Sequence, residues 1–229
     1  MEQFRHELKY IISQAQIPLL RSRIDQYMKL DHHVIDAGFY NIRSLYFDDF
    51  QNSSYYENEN GTDPREKFRI RIYNHSVERI TLECKRKERG KTLKSSCLLS
   101  ESQAKALMLC SSIDVEKHPA LLRKMCLQMR TKLLHPVTIV EYERIPYVCR
   151  NGNVRVTFDK NISSSSAVKS FLNSEIPRRP VMPPGWQLME VKFDEYLPDY
   201  IYRALNLGTL QQTAYSKFYL CRRFAQKGV

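Results

Sequence analysis

Along this chain, long basic and acidic side chains recur two residues apart: Arg5, Glu7 and Lys9; Arg69 and Arg71; Glu83, Lys85 and Lys87; Arg155, Thr157 and Asp159; Glu190 and Lys192. In an extended strand, residues two apart point the same way, so each set shares a face. Phe68, Ile70, Ile72, Val154, Val156, Met189, Val191 and Phe193 then turn toward an apolar layer. Arginine offers phosphate a planar fork of parallel hydrogen bonds, and lysine offers a mobile point charge. Several such cations along a line suit a chain of linked phosphates. Carboxylates among them would repel that anion unless they hold a divalent metal that bridges to it, as Mg2+ and Mn2+ do. Glu7, Glu83, Glu141, Glu143, Asp159 and Glu190 are the candidates. On any one strand a charged face is most often the solvated side of a half-buried sheet. Its repetition on most strands points instead to a barrel lined with charge, a container for a polyanion.

The elements that must position these residues are read from caps, turns and periodicity. A strand is expected from about Phe4 to Ile12, then a capping box at Ser13 and Gln16 that opens a helix to about Leu30, with Ile17, Leu20, Ile24 and Tyr27 as its stripe. Tyr40 to Phe47 reads as a strand and Gln51 to Pro64 as a polar connection with turn residues. Arg65 to Tyr73 and Glu78 to Lys87 read as a hairpin, followed by a strand from Thr92 to Leu99. Ser100 and Gln103 make a second capping box for a helix to about Cys110, and His118-Pro119 begins another to about Arg130. Val137 to Val148 and Asn153 to Asp159 are expected strands joined by a turn at Arg150-Asn151-Gly152. Asn161 to Gly185, rich in serine and then proline, is expected to be irregular. Trp186 to Phe193 is the last strand, before helices over Pro198 to Asn206, stopped by Gly208, and over Ser216 to Phe224. Short loops favour antiparallel neighbours. The expected fold class is therefore α+β, an antiparallel β-barrel flanked by α-helices, with residues 1–229 as a single domain.

Lysine and arginine number 36 against 25 aspartates and glutamates, a formal net charge of +11. Such a field attracts phosphates, nucleic acids or anionic membrane surfaces without choosing among them. Hydrophobic residues at 42% suffice for a core and exclude global disorder. The opening MEQFRHELKY carries charges where a secretory signal needs an apolar core, and no apolar run is long enough to span a bilayer. A soluble, cytoplasmic protein is expected. The six cysteines lack C-x-x-C or zinc-finger spacing and are expected to be reduced thiols. His32-His33 falls in an expected solvated turn and receives no role. With only 7 glycines and no Walker-type loop, phosphate must be cradled by side chains. No nucleophile–base pair stands out. The 14 tyrosines come without an RNP-like glycine–aromatic motif, so nucleic acid is not an expected partner.

Eight short patterns occur in order: Arg5-x-Glu7-x-Lys9-Tyr10, Ser44-x-Tyr46-Phe47-Asp48, Arg69-x-Arg71, Glu83-x-Lys85, Tyr142-x-Arg144, Arg155-x-Thr157-x-Asp159, Glu190-x-Lys192 and Ser216-Lys217-Phe218. Together they resemble the VTC domain, the polyphosphate polymerase branch of the triphosphate tunnel metalloenzymes, in its stand-alone prokaryotic form. The resemblance implies an antiparallel barrel that forms a tunnel, with ATP as substrate and inorganic polyphosphate as product. Carried over by motif, Lys9, Arg69, Arg71, Lys85, Arg144, Arg155 and Lys217 would contact phosphates in catalysis, and Lys94 on the next strand would complete the set. Ser216 would assist beside Lys217, and Lys87, Lys192 and Tyr142 would contribute to substrate binding. Glu190 matches the metal-binding glutamate for Mn2+ or Mg2+, with Glu7 and Glu83 as second choices. The register of Lys85 against Lys87 stays open. Phe218 stands where the family has a closing tyrosine, whose hydroxyl is therefore absent.

The reaction this implies is transfer of the γ-phosphate of ATP to a growing chain. The same barrel with water as acceptor would be a triphosphatase of inorganic, thiamine or RNA triphosphate, and without catalysis it would be a sensor of polyphosphate or inositol phosphates. Relatives work beside membrane proteins, so the resemblance also allows peripheral association with one at the inner face of the membrane. Lumen charges are expected to add little to the core, so replacing Lys217 or Arg71 is expected to spare the fold.

Overall fold

Short turns dictate antiparallel pairing in most of this chain. The computed structural model describes residues 4–34, 37–114 and 118–226. In chain order the elements are β1 (His6–Ser13), α1 (Gln16–Ile24), β2 (Lys29–Leu30), β3 (Tyr40–Asp48), α2 (Ser53–Glu59), β4 (Arg65–Tyr73), β5 (Ser76–Glu88), β6 (Lys91–Leu99), α3 (Glu101–Met108) and α4 (Ala120–Lys132). They continue with β7 (His135–Cys149), β8 (Val154–Ser165), β9 (Arg179–Pro180), β10 (Trp186–Phe193), α5 (Asp199–Ala204) and α6 (Lys217–Gln226). Asn74 and His75, both at positive φ, turn β4 into β5 in the manner of a tight hairpin. Gly152, at φ 68°, sits in the β7/β8 turn, where a Cβ would lie 2.7 Å from the carbonyl oxygen of Tyr196.

The long strands form one antiparallel sheet in the order β1, β10, β8, β7, β3, β4, β5, β6, with β2 added to β7 and β9 to β8. The sheet curls until its edges meet. Arg5 and Thr92 exchange both backbone hydrogen bonds at 3.0 Å, tying the β1 edge to β6. Helices cover the outside, as expected of an α+β tunnel. Ile70, Ile72, Leu82 and Ile139 pack with Leu107 of α3 and Leu122 and Met125 of α4, while Ile12, Val156, Phe158 and Val191 pack with α1 and α5. The C-terminal helix behaves differently. Phe218 and Cys221 of α6 lie on the inner face with Val140, Ile162 and Leu188, so α6 fills part of the lumen. No helix among the described residues is long and apolar enough to cross a membrane, and all six cysteines are free thiols.

Several boundaries differ from the sequence reading, each for a local reason. The first helix stops at Ile24, because Lys29 and Leu30 pair with Val148 and Tyr147. Gln51 to Pro64 contains α2, whose first amides are taken up by the buried Asp48 carboxylate, which accepts from the N–H groups of Ser54 (2.8 Å) and Tyr55 (3.2 Å). The expected excursion from Asn161 begins as strand: β8 bulges at Asn161, where φ is positive, and runs on to Ser165. Asn206, not Gly208, provides the left-handed residue after α5. The Ser100–Gln103 capping box is complete, whereas at α1 only the Gln16 side chain closes back, accepting from the Ser13 N–H at 2.7 Å.

Glu141 and Glu143 face away from the lumen and leave the list of metal candidates. Glu141 is buried against the equally buried Arg43, whose Nε donates to it at 2.5 Å, with His75 and Arg178 as further partners. Arg43 also donates to the carbonyls of Phe171, Asn173 and Ser174. This network holds the 171–178 segment to the outside of the sheet. Glu141→Ala would leave the Arg43 guanidinium without its carboxylate, so a loss of about 3 kcal/mol or more is expected from urea unfolding midpoints.

Candidate active site

Strand register sets the lumen. Lys9 lies opposite Glu190, Glu7 opposite Lys192, Arg144 opposite Asp159, Arg69 opposite Glu83, and Lys85 opposite both Lys67 and Lys94. Because every second residue points inward, these positions converge on a cavity of about 1050 Å³. Thirteen lysines and arginines line it against four acidic residues, so the lumen is strongly cationic. Of the residues expected at the site, Lys9, Arg69, Arg71, Lys85, Lys87, Lys94, Tyr142, Arg144, Arg155, Lys192, Ser216, Lys217, Glu7 and Glu190 line this cavity. Glu83 and Asp159 are the exceptions, both buried behind the cations. Glu83 lies 2% exposed beneath Arg69 and Lys94, which it accepts from at 2.7 and 3.0 Å.

The arginines are aimed by groups on neighbouring strands. Arg71 Nε donates to Ser44 Oγ at 3.0 Å and Arg69 donates to the Tyr46 hydroxyl at 2.7 Å, which accounts for two residues of the Ser44-x-Tyr46 pattern. Arg144 makes a bidentate pair with Asp159 at 2.6 and 2.7 Å and reaches Glu190 at 3.1 Å. Lys217, at the first turn of α6, lies 2.5 Å from Asp159 and 2.8 Å from Glu190. The Tyr142 ring lies under both cations, 5.2 Å from the Arg144 guanidinium carbon and 4.8 Å from Lys217 Nζ, a cation–π floor for the cluster. Arg155 stands at the margin, donating to the Tyr40 hydroxyl and paired with Asp31 at 2.9 Å. The Ser216 hydroxyl accepts from the Tyr219 N–H and so helps start α6. Phe218 packs its ring on Tyr46, 5.1 Å between centroids.

Electrostatics locks this arrangement. Burial alone would raise the Glu190 carboxyl, but Lys217, Lys192 and Arg144 outweigh it and hold it well below the usual range. Glu7 is likewise raised by burial and then driven well down by Lys85, Lys9 and Lys192. Burial would also lower Lys217, yet Asp159 and Glu190 more than restore its proton affinity. The expectation that lumen charges hardly matter to the fold is therefore revised for Lys217. Its removal leaves the buried Asp159 and Glu190 to share Arg144, with Lys192 as the remaining partner of Glu190, so part of their compensation is lost.

The lumen carboxylates set what metal could be held. Glu7 and Glu190 stand diagonally across the β1/β10 ladder, two register steps apart on the same face. Among the described residues, the one group of three His, Cys, Asp or Glu ligand atoms close together is Asp31, His32 and His33. It is a turn in which Asp31 accepts from the His33 N–H, and both histidines are exposed. The lumen thus offers one or two carboxylates at a time. That donor set fits Mn2+ or Mg2+ completed by phosphate oxygens and water.

Two lining cations escaped the sequence reading. Arg65 and Lys67 continue the Arg69-x-Arg71 alternation by two more steps on β4, a signal legible in the sequence. Lys85 belongs to the inner cluster through its 2.8 Å bond to Glu7, whereas Lys87 lies one inward position further along β5, opposite Arg65. Burial, with Arg65, Lys85 and Lys9 nearby, brings the Lys67 ammonium down to about 7, and burial brings Lys85 to about 8 despite Glu7. Folding thus lowers both values, so at these two lysines the unfolded chain binds more protons above about pH 7 and their contribution to stability rises with pH. Calorimetry without anions should show the midpoint climbing from about pH 7 to 8, below the range in which the thiols titrate, with a smaller climb in Lys67→Met.

A VTC domain model matches residues 4–225. Among solved structures, the fold is shared with a putative adenylate cyclase from Bacillus halodurans, at TM-score 0.51 and 14% identity over 90% of this chain and 88% of that one. It is also shared with a putative adenylyl cyclase from Hippeastrum that has a dominant triphosphatase activity, at TM-score 0.52 and 13% identity over 98% and 96%. At such identities the likeness shows the fold alone. No curated protein matches the sequence. From the family match over nearly its whole length, and from a curled sheet that gathers the motif residues in one cationic lumen, the chain belongs to the VTC domain family.

Proposed function

We propose that this protein is a metal-dependent polyphosphate polymerase, a phosphotransferase that moves the γ-phosphate of ATP to the end of an inorganic polyphosphate chain inside the lumen. The observation that carries this reading is the convergence of Lys9, Arg69, Arg71, Arg144 and Lys217 near Glu190 in a VTC domain. Arg69 and Arg71 on β4, Arg144 on β7 and Lys217 on α6 approach from different sides and would spread their charge over the equatorial oxygens of the transferring group. A terminal oxygen of the acceptor chain attacks the γ-phosphorus. One P–O bond forms there, the bond to the β–γ bridging oxygen breaks, and the electron pair leaves with ADP. The attacking oxygen is already ionised, so no general base is required, and positioning supplies most of the catalysis. Glu190 would hold Mn2+ or Mg2+, with Glu7 and Glu83 as second choices. When bound, that ion would neutralise charge on the transferring phosphate.

Hydrolysis of a triphosphate is the second reading, favoured by the triphosphatase activity of the Hippeastrum protein. Water, unlike a phosphate terminus, needs a base. Glu7, Glu83 and Glu190 are all held far below the usual carboxylate range by cations, which makes them weak bases.

Purified protein incubated with ATP and Mn2+ should yield a polyphosphate ladder on a gel with ADP in matching amount. Free phosphate without polymer would assign hydrolysis, and binding without turnover would assign a sensor. Arg71→Ala should lower turnover at least about tenfold. This is the cleaner variant, since Glu83 keeps Arg69 and Lys94 as partners. Glu190→Gln should shift the metal titration to higher concentration, and an unchanged titration would pass that role to Glu7 or Glu83.

A further inference from the structure

The lumen cations fall into two groups. Ten of the thirteen have a carboxylate within ion-pair distance, from Arg5 with Asp194 through Lys9 with Glu7 to Lys217 with Asp159. Among the described residues, Arg65, Lys67 and Lys87 have none. Arg65 donates to the Thr62 carbonyl at 2.7 Å and Lys67 to Asn58 Oδ1 at 2.8 Å, both neutral acceptors. The three are contiguous. They occupy the end of the β4/β5 ladder away from its turn, where Arg65 lies opposite Lys87 and Lys67 opposite Lys85. Like charges directly opposite on a sheet are destabilising. Arg65 and Lys67 are also held partly out of water, with Lys67 Nζ seated 4.7 Å from the centre of the Phe218 ring, whereas Lys87 is exposed.

A surface that gathers cations with no carboxylate at ion-pair distance, at a stability cost, is suited to an anion that arrives from outside. We propose that Arg65, Lys67 and Lys87 form a second phosphate subsite, separate from the ion-paired cluster, that engages units of a linear phosphate polymer beyond the third. From Arg65 to Arg71 the β4 strand runs about 20 Å at ~3.3 Å per residue, further than a triphosphate reaches. A triphosphate seated on Arg69, Arg71, Arg144 and Lys217 leaves the trio empty, whereas a longer chain fills both. The trio therefore sets chain-length preference. Lys67 joins the two sites, since Phe218, on which it rests, follows Lys217 in α6. This inference rests on the polyphosphate reading above and assigns the residues by which a polymer is told from a triphosphate.

The test compares tripolyphosphate with long-chain polyphosphate by calorimetric titration of the full chain without ATP, in wild type, Lys67→Met and Arg65→Gln/Lys87→Gln. In both variants the affinity for the long chain should fall at least about tenfold more than that for tripolyphosphate, as expected when charge-assisted contacts are lost. Thermal midpoints without anion should equal or exceed that of wild type, because a repulsion has been removed. An unchanged ratio of the two affinities, or a lowered midpoint, would overturn the subsite and leave the polymerase reading standing. Failure of wild type to bind either anion would overturn the polymerase reading itself.

Discussion

The constraint on which this structure depends is that many cations must be enclosed without driving the barrel apart. Four carboxylates meet it. Glu7 on β1 holds Lys85 on β5 at 2.8 Å and Lys192 on β10 at 3.2 Å, and so spans the seam where one backbone bridge, Arg5 with Thr92, closes the sheet. Glu83 ties β4 and β6 to β5 through Arg69 and Lys94. Asp159 and Glu190 join β7, β8 and β10 to α6 through Arg144 and Lys217. The lumen acids are therefore cross-links as well as candidate metal ligands. Glu7, Glu83 and Glu190 stay ionised because each faces several cations at once, which outweighs the cost of burial.

This lattice explains the placement of α6. A helix lying inside a charged tunnel needs an apolar seat and a reason to stay. Phe218 and Cys221 supply the seat against Val140, Ile162 and Leu188, and Lys217, one residue from Phe218, reaches the Asp159 and Glu190 carboxylates. A buried charge of this kind adds specificity of position more surely than it adds stability. The helix is held in one register because a one-residue slip would withdraw the ammonium group from both acids.

Much of the lumen was legible because period-two alternation is strict: a residue on the same strand face as Arg69 cannot point elsewhere. By the same parity Glu141 and Glu143 had to oppose Tyr142 and Arg144, and they do, on the outer face. What alternation could not convey is which face is inside, since charge outward and charge inward give one pattern until the sheet closes. Arg65 and Lys67 were readable by parity but fell outside the family motif, which begins at Arg69. The helix α2 was not readable, because its amides are capped by Asp48, a carboxylate six residues before Ser54 and outside any local capping pattern. The end of the first helix was equally non-local, set by the β7 residues that claim Lys29 and Leu30.

The same pairing bears on how a polymer would move, in the reading proposed above. An anion entering an array of unpaired cations would gain the full attraction of each and sit in a deep well. In the inner lumen each cation already has a carboxylate, so a phosphate shares or exchanges a partner and the net gain per contact is small. Many small and similar gains add up to retention without one dominant trap, and a chain advanced by one unit meets nearly the same set of partners. The trio Arg65, Lys67 and Lys87 departs from that rule, having no carboxylate at ion-pair distance among the described residues. Binding there should be deeper per phosphate, so the trio would act as a grip on the chain while the ion-paired interior acts as the surface along which it slides.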